Sequence, residues 1–225
     1  MKCLLCNRHL SWEPRLGQWL KLGSIDAPVI CRQCRGKFRH YPKPHCPGCG
    51  RHAERNGKYC VECQQWQNKL GWAIHHRCLY FYDDAMKDLM HCYKFQGDYL
   101  LRQIFQREMT QRAIEQQVDY IVPIPVTATT MQQRGFNQVE GLLTCSLSHF
   151  LTTISREKRA QSTKSRQERL ATPQPFQLAV DTNEIRGKRI LLVDDVYTTG
   201  RTIYHAASLF HEAGAKEVLG LSLAG

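Results

Sequence analysis

The residues with the most chemistry in this 225-residue chain stand at 190–202: Ile-Leu-Leu-Val-Asp194-Asp195-Val-Tyr-Thr198-Thr199-Gly200-Arg201-Thr202. The apolar run reads as a strand buried on both faces. Open parallel sheets bind ligands where their strands end, and this strand ends in two carboxylates. The Thr-Thr-Gly-x-Thr turn then opens a helix, so the peptide N–H groups of 198–202 face outward where the helix dipole favours an anion. Gly200 lets the backbone curl closely round a phosphate. Threonine hydroxyls add donors. Two acids beside a phosphate repel it unless something lies between them. A sugar with paired hydroxyls fits, because carboxylates accept both hydrogen bonds. An Asp-Asp pair alone is an ordinary acidic loop with an N-cap; the whole run suits a ribose 5-phosphate group.

The second constellation is made of thiols. Eight of the eleven cysteines fall into four Cys-x-x-Cys pairs: Cys3/Cys6, Cys31/Cys34, Cys46/Cys49 and Cys60/Cys63. Zn²⁺ takes four soft ligands in a tetrahedron, and a pair separated by two residues reaches one metal from a single tight turn. Sequential pairing puts Cys3, Cys6, Cys31 and Cys34 on one ion and Cys46, Cys49, Cys60 and Cys63 on another. Crossed pairing and a single metal are also compatible with the spacing. With every position filled by protein, such zinc is structural and supplies much of the folding energy of a core-poor segment. Cys78, Cys92 and Cys145 lie in apolar or helical contexts and read as core. His75 and His76 are spare donors outside the paired spacing.

The elements that position these groups follow from periodicity. From about Gly71 the pattern alternates strands and helices. Leu79–Tyr82 reads as a strand, and Asp84–Phe95 as an amphipathic helix with Met86, Leu89, Met90 and Tyr93 on one face. Gln96-Gly97-Asp98 breaks it before a second helix to about Gln117. Tyr120–Val122 is a short strand stopped by Pro123 and Pro125. Gly135-Phe-Asn137 leads into a helix to about Leu151, and 155–174 is polar without an apolar stripe. Lys188–Val193 is a central strand, Gly200–Ala213 a helix ended by Gly214, and Val218–Leu223 the next strand. This order implies an α/β fold, a parallel sheet flanked by helices. Residues 1–70 form a cysteine-rich zinc module ahead of a domain at 71–225.

Composition bounds the function classes. The formal charge is +11, and residues 1–70 hold 13 Lys/Arg against four Asp/Glu, so the excess sits with the cysteines. Eight thiolates on two Zn²⁺ lower it without reversing its sign. Arg32, Arg35, Lys37, Arg39 and Lys43 interleave with Phe38, His40 and Tyr41. Such a surface tracks a nucleic-acid backbone and stacks bases, or is the solvated face of a protein-binding zinc ribbon. No apolar run reaches eighteen residues, and the N-terminus lacks a signal-peptide pattern, so a cytoplasmic protein is expected. Gly-x-x-x-x-Gly-Lys-Ser/Thr and Gly-x-Gly-x-x-Gly are absent, which leaves ATPase and dinucleotide-dehydrogenase readings without support.

The 190–202 run resembles the phosphoribosyl-diphosphate (PRPP) motif of type I phosphoribosyltransferases. That resemblance implies ribose hydroxyls on Asp194 and Asp195 and the 5′-phosphate on Thr198, Thr199, Gly200, Arg201 and Thr202. Joined to a double zinc ribbon, it is similar to the ComF/GntX family over essentially the whole chain. Further markers are Lys94-Phe95-Gln-Gly97-Asp, Val122-Pro123-Ile-Pro125, Arg134-Gly135-Phe136-Asn137-Gln138 and Gln167-Glu-Arg169. The family often carries an Asn in the following linker, which here reads Gln161-Ser-Thr163-Lys164-Ser-Arg166-Gln167 without it. The resemblance implies a role in natural transformation, the handling of incoming single-stranded DNA. It also implies partners among competence helicase and recombination-mediator proteins, although GntX members are linked by name to gluconate use.

Phosphoribosyl transfer breaks the bond from C1′ to diphosphate. Mg²⁺ would bridge diphosphate and ribose oxygens, and Arg134 with Lys164, Arg166 and Arg169 would neutralise the leaving group. No residue marks a site for an accepting base. A catalytic phosphoribosyltransferase and a DNA-uptake accessory protein that keeps the PRPP pocket both remain open.

Overall fold

The structure, a computed structural model, describes residues 1–11, 27–41, 46–51, 57–154 and 174–225. Helix α1 spans Arg32–Arg35 and α2 Val61–Leu70. Strand β1 (His75–Tyr80) is followed by α3 (Asp84–Phe95), a 3₁₀ helix at Tyr99–Ile104 and α4 (Gln106–Ile114). Next come β2 (Tyr120–Pro123), α5 (Ala128–Arg134) and α6 (Gln138–Gly141). After β3 (Leu151–Thr153) and β4 (Phe176–Leu178) lie α7 (Thr182–Ile185), β5 (Arg189–Val196), α8 (Arg201–Glu212) and β6 (Glu217–Ala224). The main sheet has the order β1-β6-β5-β2, with every pair parallel. Strands β3 and β4 form a separate antiparallel pair.

The central strands β5 and β6 are buried on both faces, as their continuous apolar sequences require. On one face Leu191, Val193, Leu221 and Leu223 meet Met86, Met90 and Tyr93 of α3. On the other, Ile190 and Leu192 meet Ile203, Ala207 and Phe210 of α8. Helix α3 has the bounds its periodicity predicts, and Asp83 caps it by accepting from the Met86 N–H.

The cysteine-rich segment packs into both cores. Cys3, Ile30, Cys34 and Phe38 share the α3-side cluster with Tyr80 and Phe105; Cys46, Cys49 and Cys63 share the α8-side cluster with Tyr197 and Tyr204. Residues 39–41 run antiparallel along the outer edge of β1: Tyr41 N–H donates to Leu79 O at 3.0 Å, and Phe81 N–H to Arg39 O at 2.9 Å. An edge strand with unpaired peptide groups is thereby covered.

Three sequence expectations change. The strand expected at 79–82 is centred earlier, on alternate burial of His76, Cys78 and Tyr80. The helix expected to Gln117 divides into the 3₁₀ turn and α4. The helix expected from Asn137 to about Leu151 stops at Gly141. A Cβ at Gly141 would lie 2.3 Å from the Tyr93 hydroxyl, so the chain passes α3 too closely for a continuing helix side chain. The Ser/Thr-rich residues that follow favour other conformations, and the Ser148 N–H goes instead to Ile121 O beside β2. Gln174 begins the described part of the polar stretch; 155–173 lies outside the described residues, with Lys164, Arg166 and Arg169. Among the described residues no helix is long and apolar enough to cross a membrane.

Candidate functional site

Strand β5 carries Asp194 and Asp195 to its carboxyl end, both buried at 7% and 4% exposure. The Asp194 carboxylate accepts the Asp195 N–H at 2.9 Å. Burial first, and then the adjacent Asp195 carboxylate, push the Asp194 carboxyl well above the ordinary range. Asp195 is flanked by cation and amide. Lys94, from the last turn of α3, forms an ion pair with its Oδ2. Gln138 Nε2 donates to its Oδ1 at 3.2 Å. Arg134 in turn donates to Gln138 Oε1, and its guanidinium sits 5.5 Å from the centroid of the exposed Phe95 ring. Arg134 thus reaches the acids through Gln138 rather than directly. Asn137 holds this arm: its side chain caps α6 through the Val139 N–H and donates to Ile124 O.

Beyond the acids, residues 196–203 and Asp194 line a shallow recess. Thr198, Thr199 and Arg201 are exposed there, and Thr202 is half-buried. Gly200 is the N-cap of α8 with φ 77°, a left-handed conformation that side chains resist. A Cβ on it would also lie 2.3 Å from the Tyr197 hydroxyl. No side chain caps α8, as none caps α2 or α4, but α8 alone of these three starts from a left-handed glycine beside the paired acids. The first-turn N–H groups of any helix lack intrahelical partners, and at α8 no capping side chain takes them, which is the arrangement that binds a phosphate. The structure brings Asp194 and 198–202 together around this recess with Asp195 beside them, and Arg134 joins Asp195 only through Gln138.

The sulfurs form two groups, Cys3/Cys6/Cys31/Cys34 and Cys46/Cys49/Cys60/Cys63, each with its ligand atoms within 4.8 Å of one another. This is the sequential pairing. A tetrahedron with Zn–S bonds of about 2.3 Å has edges of about 3.8 Å. Cys6 and Cys31 sulfurs lie 3.8 Å apart, and Cys49 and Cys60 sulfurs 3.6 Å apart. Those separations fit zinc and far exceed a disulfide bond of about 2 Å. Backbone N–H groups support the thiolates: Cys31 donates to Cys3 Sγ and Cys60 to Cys46 Sγ, each at 3.3 Å. Against the burial that opposes ionisation, such amides bring the Cys3 thiol down to about 6. Burial and the neighbouring sulfurs push Cys34 up to about 12. His75 and His76 belong to neither group. Cys78 is buried as expected, while Cys92 and Cys145 are half-buried.

The basic surface is only partly as the sequence suggests. Phe38 and Tyr41 turn inward: Phe38 packs edge-on to Phe105, and the Tyr41 hydroxyl donates to Gly225 O at 2.6 Å. These rings are taken up by the core and the sheet edge. Arg35 donates to Ile104 O, and Arg39 pairs with Asp83. Arg32 and Lys37 are exposed; Lys43 lies outside the described residues.

Two groups escaped assignment from sequence although both sit in motifs singled out there. Lys94 directly follows Tyr93 and lies one turn after Met90, both buried on the inner face of α3. A cation so placed requires a partner, and that was its signal. Gln138 follows the capping Asn137 and carried no comparable signal.

The phosphoribosyl transferase domain family matches residues 99–221. Competence protein ComFC of Streptococcus pneumoniae is 38% identical over 99% of both chains. Competence protein ComFC of Bacillus subtilis is 31% identical over 94% of this chain and 89% of its own. The DNA utilization protein YhgH of Escherichia coli is 27% identical over 96% of this chain and 93% of its own. This chain, whose parallel sheet ends in paired acids and an open helix start and packs against two four-cysteine clusters, is similar to these relatives along nearly its whole length and belongs to the ComF family of phosphoribosyl transferase domain proteins.

Proposed function

We propose that the chain binds PRPP at Asp194–Thr202 and serves DNA uptake by handling incoming single-stranded DNA. The observation that carries the ligand reading is the uncapped start of α8, with left-handed Gly200, directly beyond the buried pair Asp194 and Asp195. The 5′-phosphate takes the N–H groups and hydroxyls of 198–202, and the ribose hydroxyls take the two carboxylates. Mg²⁺ accompanies the diphosphate. Zinc holds a module spanning 1–70, ahead of a ligand-binding domain at 71–225. The process is supported by the names of the relatives, competence proteins and a DNA utilization protein. On this reading the protein works in the cytoplasm, Arg32 and Lys37 with Arg35, Arg39 and Lys43 offer a backbone-tracking face, and competence helicase and recombination-mediator proteins are partners.

Calorimetry with PRPP and Mg²⁺ tests the site. Binding is expected for the native chain and lost in Asp194→Asn/Asp195→Asn; equal binding by both would refute it. Single-stranded DNA affinity that weakens with salt and with Arg32→Ala/Lys37→Ala supports the second half; affinity indifferent to those changes removes it.

A catalytic reading is favoured by Lys94 and the Arg134–Gln138 arm, which gather positive charge beside the acids. There the protein transfers ribose 5-phosphate from PRPP to an amine or base. Diphosphate release with candidate acceptors checks it, and its absence across nucleobases and amines leaves binding alone.

A further inference from the structure

One side chain ties the second cysteine cluster to the phosphate-binding turn. Cys60 is the N-cap of α2 and Cys63 lies in its first turn, and both belong to the cluster with Cys46 and Cys49. Trp66 follows Cys63 by three residues, one turn on along the same helix face. Its indole N–H donates to Thr199 O at 2.9 Å. Its ring stacks on Tyr204 of α8, with centroids 4.5 Å apart and planes 11° from parallel. The Tyr204 N–H donates in turn to Gly200 O at 2.9 Å. Trp66 therefore grips the turn and the first turn of the helix that the turn opens.

The peptide geometry gives this grip a direction. The Thr199 carbonyl and the Gly200 N–H belong to one planar trans unit and point to opposite sides. Holding the carbonyl against α2 turns the Gly200 N–H away from α2. The packing that places α2 is close: a Cβ at Gly48 would lie 2.8 Å from Cys63 Sγ. The four sulfurs fit a zinc ion, which when bound would fix the start of α2 and, through that helix, the place of Trp66 against the turn.

We infer that Trp66 is a positioning residue for the anion-binding turn, and that zinc at Cys46/Cys49/Cys60/Cys63 sets that turn's geometry through it. The zinc module is then part of the ligand site's framework, not a separate appendage. This inference rests on the PRPP reading only for the identity of the ligand.

Hydrogen exchange on the full, zinc-loaded, ligand-free chain tests the coupling without any ligand. Trp66→Phe keeps the stacked ring and removes the donor. The Tyr204 amide, which donates to Gly200 O, is expected to exchange about fivefold faster, the loss of roughly one net hydrogen bond, with β5 unchanged. PRPP affinity is expected to fall by about the same factor. Trp72→Phe, which also alters a ring against Tyr204 but has no bond to the turn, is expected to leave the Tyr204 amide as it is. Removing zinc from the native chain with a chelator, metal release being followed colorimetrically, is expected to speed exchange of the Tyr204 amide while β5 stays protected. Unchanged exchange in Trp66→Phe overturns the positioning role, as does an equal change in Trp72→Phe. A turn indifferent to zinc removal overturns the metal's part. Faster exchange in a protein whose native form ignores PRPP upholds the coupling and sinks the ligand reading instead.

Discussion

Asp194 is an acid kept in a place that disfavours its charge. Its carboxyl is raised by burial and by Asp195, so the folded state prefers the protonated form. Below the ordinary carboxyl range the group is protonated in both states and costs nothing. As pH climbs through that range the unfolded acid ionises while the folded one resists, and stability falls until the raised value is passed. Asp194→Asn removes this slope. Scanning calorimetry between about pH 4 and about pH 8 should find the variant melting above the native chain near neutrality while PRPP binding is gone. Stability surrendered at a ligand site is a common exchange. Lys94 and Asp195 are the opposite case, since each answers the other at 19% and 5% side-chain exposure. Lys94→Met strands a buried carboxylate and should destabilise the fold by about 3 kcal/mol. Adding Asp195→Asn should restore most of that loss in denaturant titration, because the orphaned charge disappears with it. The acids were legible in sequence because they close an apolar run. Lys94 signalled a need for a partner by its place on the buried face of α3, but which partner was not legible, because it meets Asp195 only after α3 packs across the sheet.

At the scale of elements, local pattern sufficed wherever the chain speaks to itself. The bounds of α3 follow from its apolar face and its Asp83 cap, and β5 from an unbroken apolar run. Pattern failed after Asn137, where a close pass of Gly141 over Tyr93 ends the helix, and along 99–114, where one expected helix is two. Those outcomes are decided by partners distant in sequence. The turn before α8 shows the same dependence. Gly200→Ala meets both a positive φ and the Tyr197 hydroxyl. It should cost about 2 kcal/mol or more and abolish phosphate binding. In a Tyr197→Phe background the penalty should shrink only in part, because the ring carbon Cζ remains 2.7 Å from the added Cβ; equal penalties in a double-mutant cycle would assign the effect to the backbone and the ring rather than the hydroxyl. Tyr197→Phe alone should be neutral or stabilising, since its buried hydroxyl has no hydrogen-bond partner among the described residues.

For the whole molecule, the cysteine clusters are keystones of a sheet they do not enter. Their eight ligands were plain in the spacing, and the sequential pairing follows from the three-dimensional grouping. What spacing does not reveal is that Phe38 and Tyr41, which look like a base-stacking surface, are spent on the core and on Gly225. Zinc removal should therefore act on the sheet. The amides of Tyr41 and Phe81 are expected to lose exchange protection before those of β5, and light scattering should rise as the β1 edge is bared. If β1 stays protected and the solution stays clear, the clasp at 39–41 holds without metal. The placement of β1 also bears on how the chain finds its fold. One side of this strand meets His40, and the other meets β6 at Ala224. Closing the shorter loop, from 40 to 80, costs about 1 kcal/mol less chain entropy than closing the loop from 80 to 224. On that difference the clasp is expected to form before the β1–β6 pairing, which pulsed hydrogen exchange during refolding checks by whether the Phe81 amide is protected ahead of those of β6. The clasp then shields one flank of β1 while the other waits for a strand that arrives late.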